Sequence, residues 1–146
     1  MSYNLNVYLS RRNMPTPSAW RAAIIAAGFP VELDSEFDVE TSSGFRPAPV
    51  RGQMSGFEYY ASPMAAELAQ KLRLDASINF MVVFAIGSRP LEIVSALSAA
   101  SVLASVSGGV LVDPQEGKSF SASEAIAWAQ TQIAQGWTRS YGTFRL

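Results

Sequence analysis

The sequence predicts an α/β or α+β fold: one domain, residues 1–146, with a mixed central β-sheet packed by about three main helices. Some stretches alternate apolar and polar residues with a period of two, and others repeat apolar residues at helical spacing, so strands and helices are mixed along the chain. The composition, 49% hydrophobic and 16% charged, is typical of an ordered globular protein. A chain of this length buries roughly 70% of its unfolded surface, which is enough for a core without disulfides.

The first third of the chain predicts a strand, a helix and a second strand. Residues 3–9 alternate with period two and predict the first strand. Thr16 is a suitable N-cap and Pro17 suits the first helical position, so a helix over residues 17–27 follows, ended by Gly28. Residues 31–40, which we call the acidic segment, alternate again and predict the second strand.

The middle of the chain predicts an irregular edge, a strand and a short helix. Two prolines interrupt residues 45–52, which suits an edge segment. Residues 54–61 carry aromatic residues at strand spacing, and Ser62-Pro63 is expected to open a short helix.

The last part predicts a βαβ unit at residues 78–112. Residues 78–86 are an apolar run typical of a strand buried on both faces. A long helix follows from Ser88 and Pro90 to Gly108-Gly109, and then a short strand, so a parallel, right-handed crossover is expected. Ser121 and Glu124 have capping-box spacing for a third main helix, and the tail alternates weakly like a last strand.

Residues 93–112 are twenty uncharged residues, about the length of a membrane span. The stretch is rich in serine and is broken by two glycines, and it has no aromatic belt or basic flank. We therefore expect a buried helix that runs into a buried strand. The first residues lack the pattern of a secretory signal, so a cytoplasmic protein without membrane partners is expected.

The composition excludes several chemistries. The chain has no Cys and no His, which removes disulfides, thiolate catalysis, His-containing triads and the usual zinc ligands, so no metal or cofactor is expected. The net charge of −1 gives no basic field for nucleic acid. The tail does interleave aromatic and basic residues, which can suit single-stranded nucleic acid, but a packed last strand is the preferred interpretation. The residues concerned are Trp137, Arg139, Tyr141 and Arg145.

Five of the twelve acidic residues occupy alternate positions in the acidic segment. This acidic row consists of Glu32, Asp34, Glu36, Asp38 and Glu40. In a strand, its carboxylates would share one face about 6.6 Å apart while Val31, Leu33, Phe37 and Val39 face the core. Three interpretations remain open: a charged strand that resists edge-to-edge aggregation, a ladder paired internally with Arg46 or Arg51, or a surface for a basic partner.

Glu58 is the candidate for an alternative, catalytic interpretation. It lies between aromatic residues in SGFEYY, where desolvation could tune a carboxylate for acid–base chemistry. A hydrolase of this kind needs a second carboxyl group about 5–10 Å away. The alternative function is therefore a small-molecule-binding domain or a carboxylate-based hydrolase with a pocket near Glu58; the preferred interpretation has no catalytic residue.

Three stretches, MPTPSAWRAAIIAAGF, SGFEYY and GGVLVDPQEGKSFSASEAIAWA, resemble small cytoplasmic immunity proteins of bacterial polymorphic-toxin and contact-dependent inhibition systems. The resemblance implies a protein without enzymatic activity that binds a cognate toxin, often a basic one, and blocks it. On this interpretation the partner is a bacterial toxin, the inhibitor is a monomer or dimer, and the acidic row, helped by Tyr59 or Tyr60, forms the contact surface.

Overall fold

The computed structural model describes the backbone of residues 3–139 and 142–144 and the side chains of residues 3–136. The chain forms an α+β domain, which confirms the predicted fold class. The strands are β1 (Tyr3–Leu9), β2 (Ser43–Pro47), β3 (Gly56–Pro63), β4 (Phe80–Ile86), β5 (Val110–Asp113), β6 (Lys118–Ser121), β7 (Trp137–Arg139) and β8 (Gly142–Phe144). The helices are a 3-10 turn (Arg11–Asn13) and α1 (Pro17–Ala26), α2 (Ala66–Lys71), α3 (Pro90–Ser107) and α4 (Ala125–Gln135).

Six strands form the main sheet in the order β2-β3-β4-β1-β5-β6, and every pairing in it is antiparallel. The expectation of a mixed sheet is therefore wrong, since this sheet is entirely antiparallel. The β4-α3-β5 crossover exists, and β4 and β5 run in the same direction, but β1 lies between them and pairs with both. Antiparallel pairing to a shared neighbour satisfies both strands, so no parallel pair is needed.

Helix α1 begins and ends where its capping residues predict. The Thr16 hydroxyl accepts a hydrogen bond from the Ala19 N–H at 3.1 Å, and Pro17 occupies the first turn. Gly28 then takes a φ of 89°, which a residue without a side chain adopts readily. Trp20 and Ile24 point into the core.

Helix α3 packs against the sheet and against helices α1 and α4, and most of its residues are buried. By length and composition alone, this helix is long and apolar enough to cross a membrane. However, 72% of its 18 residues are buried inside the protein. Two of its buried serine hydroxyls donate to backbone carbonyls one turn earlier in the same helix: Ser98 to Val94 and Ser107 to Leu103. The expectation of a buried helix is confirmed.

The two faces of the sheet differ in burial. On one face, residues from β1 and β4 such as Leu5, Val7 and Phe84 join α1, α3 and α4 in the main core. On the other face, α2 covers a smaller cluster that includes Tyr8 and Ala69. Strand β4 is therefore fully buried on one face only, which corrects the expectation of burial on both; its outer residues are half-buried.

Several boundaries differ from expectation. Ser62 and Pro63 end β3 rather than opening a helix, and α2 begins at Ala66. The Glu124 carboxylate accepts from the Ser121 N–H at 2.9 Å, but Ser121 ends β6 and α4 begins at Ala125 with Glu124 as its N-cap, so the predicted capping box does not start the helix. Strand β6 was not predicted. The tail forms the β7–β8 pair; Tyr141 and Arg145 lie outside the described residues, as do the side chains of Trp137 and Arg139.

Candidate functional site

The acidic segment is extended only at its start and is not a regular strand. Val31 makes an isolated bridge to Val50, and the N–H groups of Glu32 and Asp34 donate to the carbonyls of Pro49 and Pro47 at 3.0 and 2.9 Å. Proline has no N–H to donate in return, so a full ladder cannot form. The prediction of a regular second strand over residues 31–40 is therefore wrong.

The second half of the segment turns because its own carboxylates capture backbone donors. The Asp34 carboxylate accepts from the Glu36 N–H at 3.0 Å, and the Asp38 carboxylate accepts from the N–H groups of Glu40 and Thr41. Such bonds compete with strand pairing and favour turns. The bonds from Glu40 and then Thr41 hold the pKa of Asp38 below its usual value.

The predicted division into inner and outer residues nevertheless holds. Val31, Leu33 and Val39 are buried, and Phe37 packs on Tyr59 with ring centroids 5.3 Å apart. The acidic row lies on the outer side, with each member exposed or half-buried. Four apolar anchors therefore fix the segment to the core while its carboxylates face solvent.

Tyr59 is fully buried and fastens this segment from within. Its hydroxyl donates to the Val39 carbonyl at 2.5 Å. Burial, followed by the charges of Asp38 and Glu40, raises the pKa of Tyr59 well above its ordinary value. Tyr59 is thus withdrawn from the predicted contact surface, because a buried side chain cannot touch a partner.

Three arginines approach the acidic row. Arg11 pairs with Glu40 at 2.5 Å, Arg21 with Glu32 at 3.8 Å and Arg46 with Asp34 at 4.0 Å. All three pairs are partly exposed and each contributes on the order of 0–1 kcal/mol. Internal pairing therefore occurs, but Arg11 and Arg21 take the role expected of Arg51, and among the described side chains Glu36 and Asp38 lie near no arginine at this distance.

Three adjoining depressions, which we call the α1 groove, lie between α1, the acidic segment and the turn at residues 50–53. The first, about 290 Å³, is lined by acids of the row together with Leu33, Pro47 and Pro49. The second, about 270 Å³, is mostly apolar and is lined by residues that include Ile25, Phe29 and Pro30. The third, about 310 Å³, lies along α1. The three meet at Arg21, Ile25 and Glu32, since each pair of depressions shares at least one of these residues.

The turn at residues 50–53 closes one end of the groove and was not recognised in the sequence. Val50 and Gln53 exchange both backbone hydrogen bonds, at 3.0 and 2.9 Å, around Arg51 and Gly52. Both central residues have positive φ, 49° and 76°, as in a type I′ turn. The sequence does not indicate this turn, because type I′ turns usually contain Asn-Gly and this one contains Arg-Gly.

Glu58 and Tyr60 lie on the outer face of the sheet, away from the groove. Both are exposed, and the Tyr60 hydroxyl donates to the Glu58 carboxylate at 3.1 Å. The cross-strand neighbours of Glu58 are Phe45 and Ala85. This open position lacks the enclosed apolar surroundings on which the hydrolase interpretation depends. Tyr60 is accessible to a partner but does not adjoin the acidic row in the groove.

Within residues 3–139 and 142–144, no cluster of three or more acidic side chains could hold a metal ion. Comparison of the chain with known protein families, with curated proteins and with solved structures finds no match.

Proposed function

We propose that this chain is a non-catalytic binding protein that inhibits a basic protein partner, in the manner of a bacterial immunity protein that binds its toxin in the cytoplasm. The observation that carries the proposal is the outward-facing acidic row held on a fixed frame beside a groove. A surface of charged residues alone would guide the approach of a basic partner. The α1 groove beside it adds the apolar surface that protein interfaces bury at their centre.

Anchoring of the segment favours binding because less freedom is lost when the partner docks. Phe37 packs between Tyr59 and Trp20, whose ring centroids lie 5.3 and 6.3 Å from its own. The buried Tyr59 hydroxyl fixes the following turn through Val39. Ordering side chains and loops at an interface costs free energy, roughly 0.5–1.5 kcal/mol for each immobilised flexible side chain. A segment that is already ordered before binding avoids part of this cost.

The charge distribution favours a basic partner but limits the number of acids that attract it. Arg11, Arg21 and Arg46 partly neutralise three members of the acidic row. Glu36 is exposed, forms no ion pair among the described side chains, and lines the groove. We therefore assign Glu36 the main attractive role, with Asp38 beside it. Charges at an interface rim mostly raise the association rate.

The test begins with capture of a partner from the source organism on the tagged chain, followed by binding kinetics with the purified partner. Glu36→Lys is expected to lower the association rate about tenfold at low salt, with a smaller effect at high salt. Glu67→Lys is the matched control: Glu67 is an exposed acid on α2, on the opposite side of the sheet. Equal rates for wild type and Glu36→Lys would remove the acidic row from the interface.

A further inference from the structure

Two of the adjoining depressions of the α1 groove differ in charge and polarity. Its acidic end contains Glu32, Asp34 and Glu36, with Arg21 paired to Glu32. Its centre is apolar, formed by Ile25, whose side chain is 53% exposed, with Phe29 and Pro30. Its other end is closed by Arg51 and Gly52 at the type I′ turn. The first end carries three carboxylates against one guanidinium, whereas the other end carries Arg51 beside Glu32, so a cation is favoured at the first end.

We propose that the α1 groove binds an extended segment of the partner in which an apolar side chain is flanked, on one side only, by basic residues. This inference rests on the proposed function and identifies the chemistry that the same surface recognises. The apolar side chain contacts Ile25 in the centre of the groove, and the basic residues lie toward Glu36. Arg51 disfavours a cation at the opposite end, so the basic residues of the segment have a fixed place in the groove.

The centre of the groove supplies the affinity that exposed charges cannot. Ile25 is one of the more exposed large apolar side chains of the described chain, and covering it removes apolar surface from water. A side chain that fills a depression and excludes water carries most of the energy in many interfaces. The Arg21–Glu32 ion pair, at 3.8 Å with the Glu32 side chain 63% exposed, adjoins this centre and is loose enough to be rearranged by a bound cation.

The experiment titrates the isotope-labelled full chain with short synthetic peptides and follows the NMR signals of Ile25 and Gly52. The first peptide has one leucine followed by two arginines, and the second has the same residues in reverse chain order. The third replaces leucine by glycine, and the fourth replaces the arginines by glutamates. One of the two leucine–arginine peptides is expected to bind at least about tenfold more tightly than the glycine and glutamate peptides.

Variants then locate the site. Ile25→Ala is expected to weaken the preferred peptide about tenfold, whereas Val106→Ala, at a similarly exposed helical position outside the groove, leaves it unchanged. Arg51→Asn removes the repelling cation and is expected to strengthen binding about twofold or more. Both variants keep the fold, because these side chains are exposed.

The outcomes separate this inference from the proposed function. Equal binding of the glycine peptide would refute the apolar anchor and leave the acidic row as a basic-partner surface. An absence of shifts at Ile25 and Gly52 with every peptide at millimolar concentration would overturn the groove assignment, while the kinetic test with Glu36→Lys would still decide the proposed function. Equal binding of the glutamate peptide would refute the placement of the basic residues toward Glu36.

Discussion

The hydroxyl of Tyr59 tests whether the acidic segment is held in place from the core. Tyr59→Phe removes the donor of the bond to the Val39 carbonyl and leaves the ring in its packed position. Val39 is buried, so water does not easily replace the lost donor. Leaving a buried acceptor unsatisfied costs about 1–3 kcal/mol, which lowers the midpoint of thermal unfolding by about 2–4 °C for each kcal/mol in a domain of this size.

Tyr60→Phe is the matched control, because the neighbouring tyrosine is 44% exposed and donates to an exposed carboxylate. We expect that change to alter stability by less than about 0.5 kcal/mol. Urea unfolding followed by tryptophan fluorescence measures both variants, and the slope with urea should not change. Hydrogen exchange should also speed up at the Ser42 amide, which donates to the Asp38 carbonyl in the same turn. Equal stability of Tyr59→Phe and wild type would refute the anchoring role.

Three further predictions concern Asp38, Arg51 and Gly109. Asp38 has a lowered folded pKa, so its carboxylate stabilises the fold above its ordinary value of 3.8 and this contribution is lost as the pH falls through the folded value. Wild type should therefore exceed Asp38→Asn in unfolding free energy at pH 6, with the difference vanishing in acid; a difference that is constant with pH would contradict this assignment. Arg51→Asn should raise the unfolding free energy by about 1 kcal/mol, since it places Asn-Gly in the type I′ turn, and a loss of stability in urea unfolding would contradict the turn geometry. Gly109→Ala should strongly destabilise the domain in a thermal melt, because the new Cβ would lie 2.4 Å from the Tyr8 carbonyl oxygen, and a variant as stable as wild type would show that β1 can yield there.

Local signals were sufficient to predict most helices. The Thr16-Pro17 start and Gly28 end of α1, and the Pro90 start and Gly108 end of α3, depend on capping and on backbone conformations that neighbouring residues alone determine. Strand order could not be predicted in the same way, because the pairing of β1 with β4 and β5 is decided by contacts far apart in sequence.

The acidic segment shows where the prediction of the site succeeded and where it failed. Alternation placed Leu33 and Val39 inside and the acids outside, because that pattern reports burial rather than strand pairing. The ion pairs were mostly missed, since Arg11 and Arg21 reach the row from elements that precede it. The groove was missed as well, because it forms only when α1 and the turn around Gly52 come together.

The position of β1 in the middle of the sheet has a consequence for folding of the chain. Leu9 pairs with Phe80, and Val7 pairs with Leu111, so both neighbours of β1 lie about 70 to 100 residues further along the chain. Such high contact order slows folding, because a long loop must close before these contacts form. Until residues 80 and 111 have left the ribosome, β1 is unpaired on both edges, and an unpaired strand edge can associate with other chains.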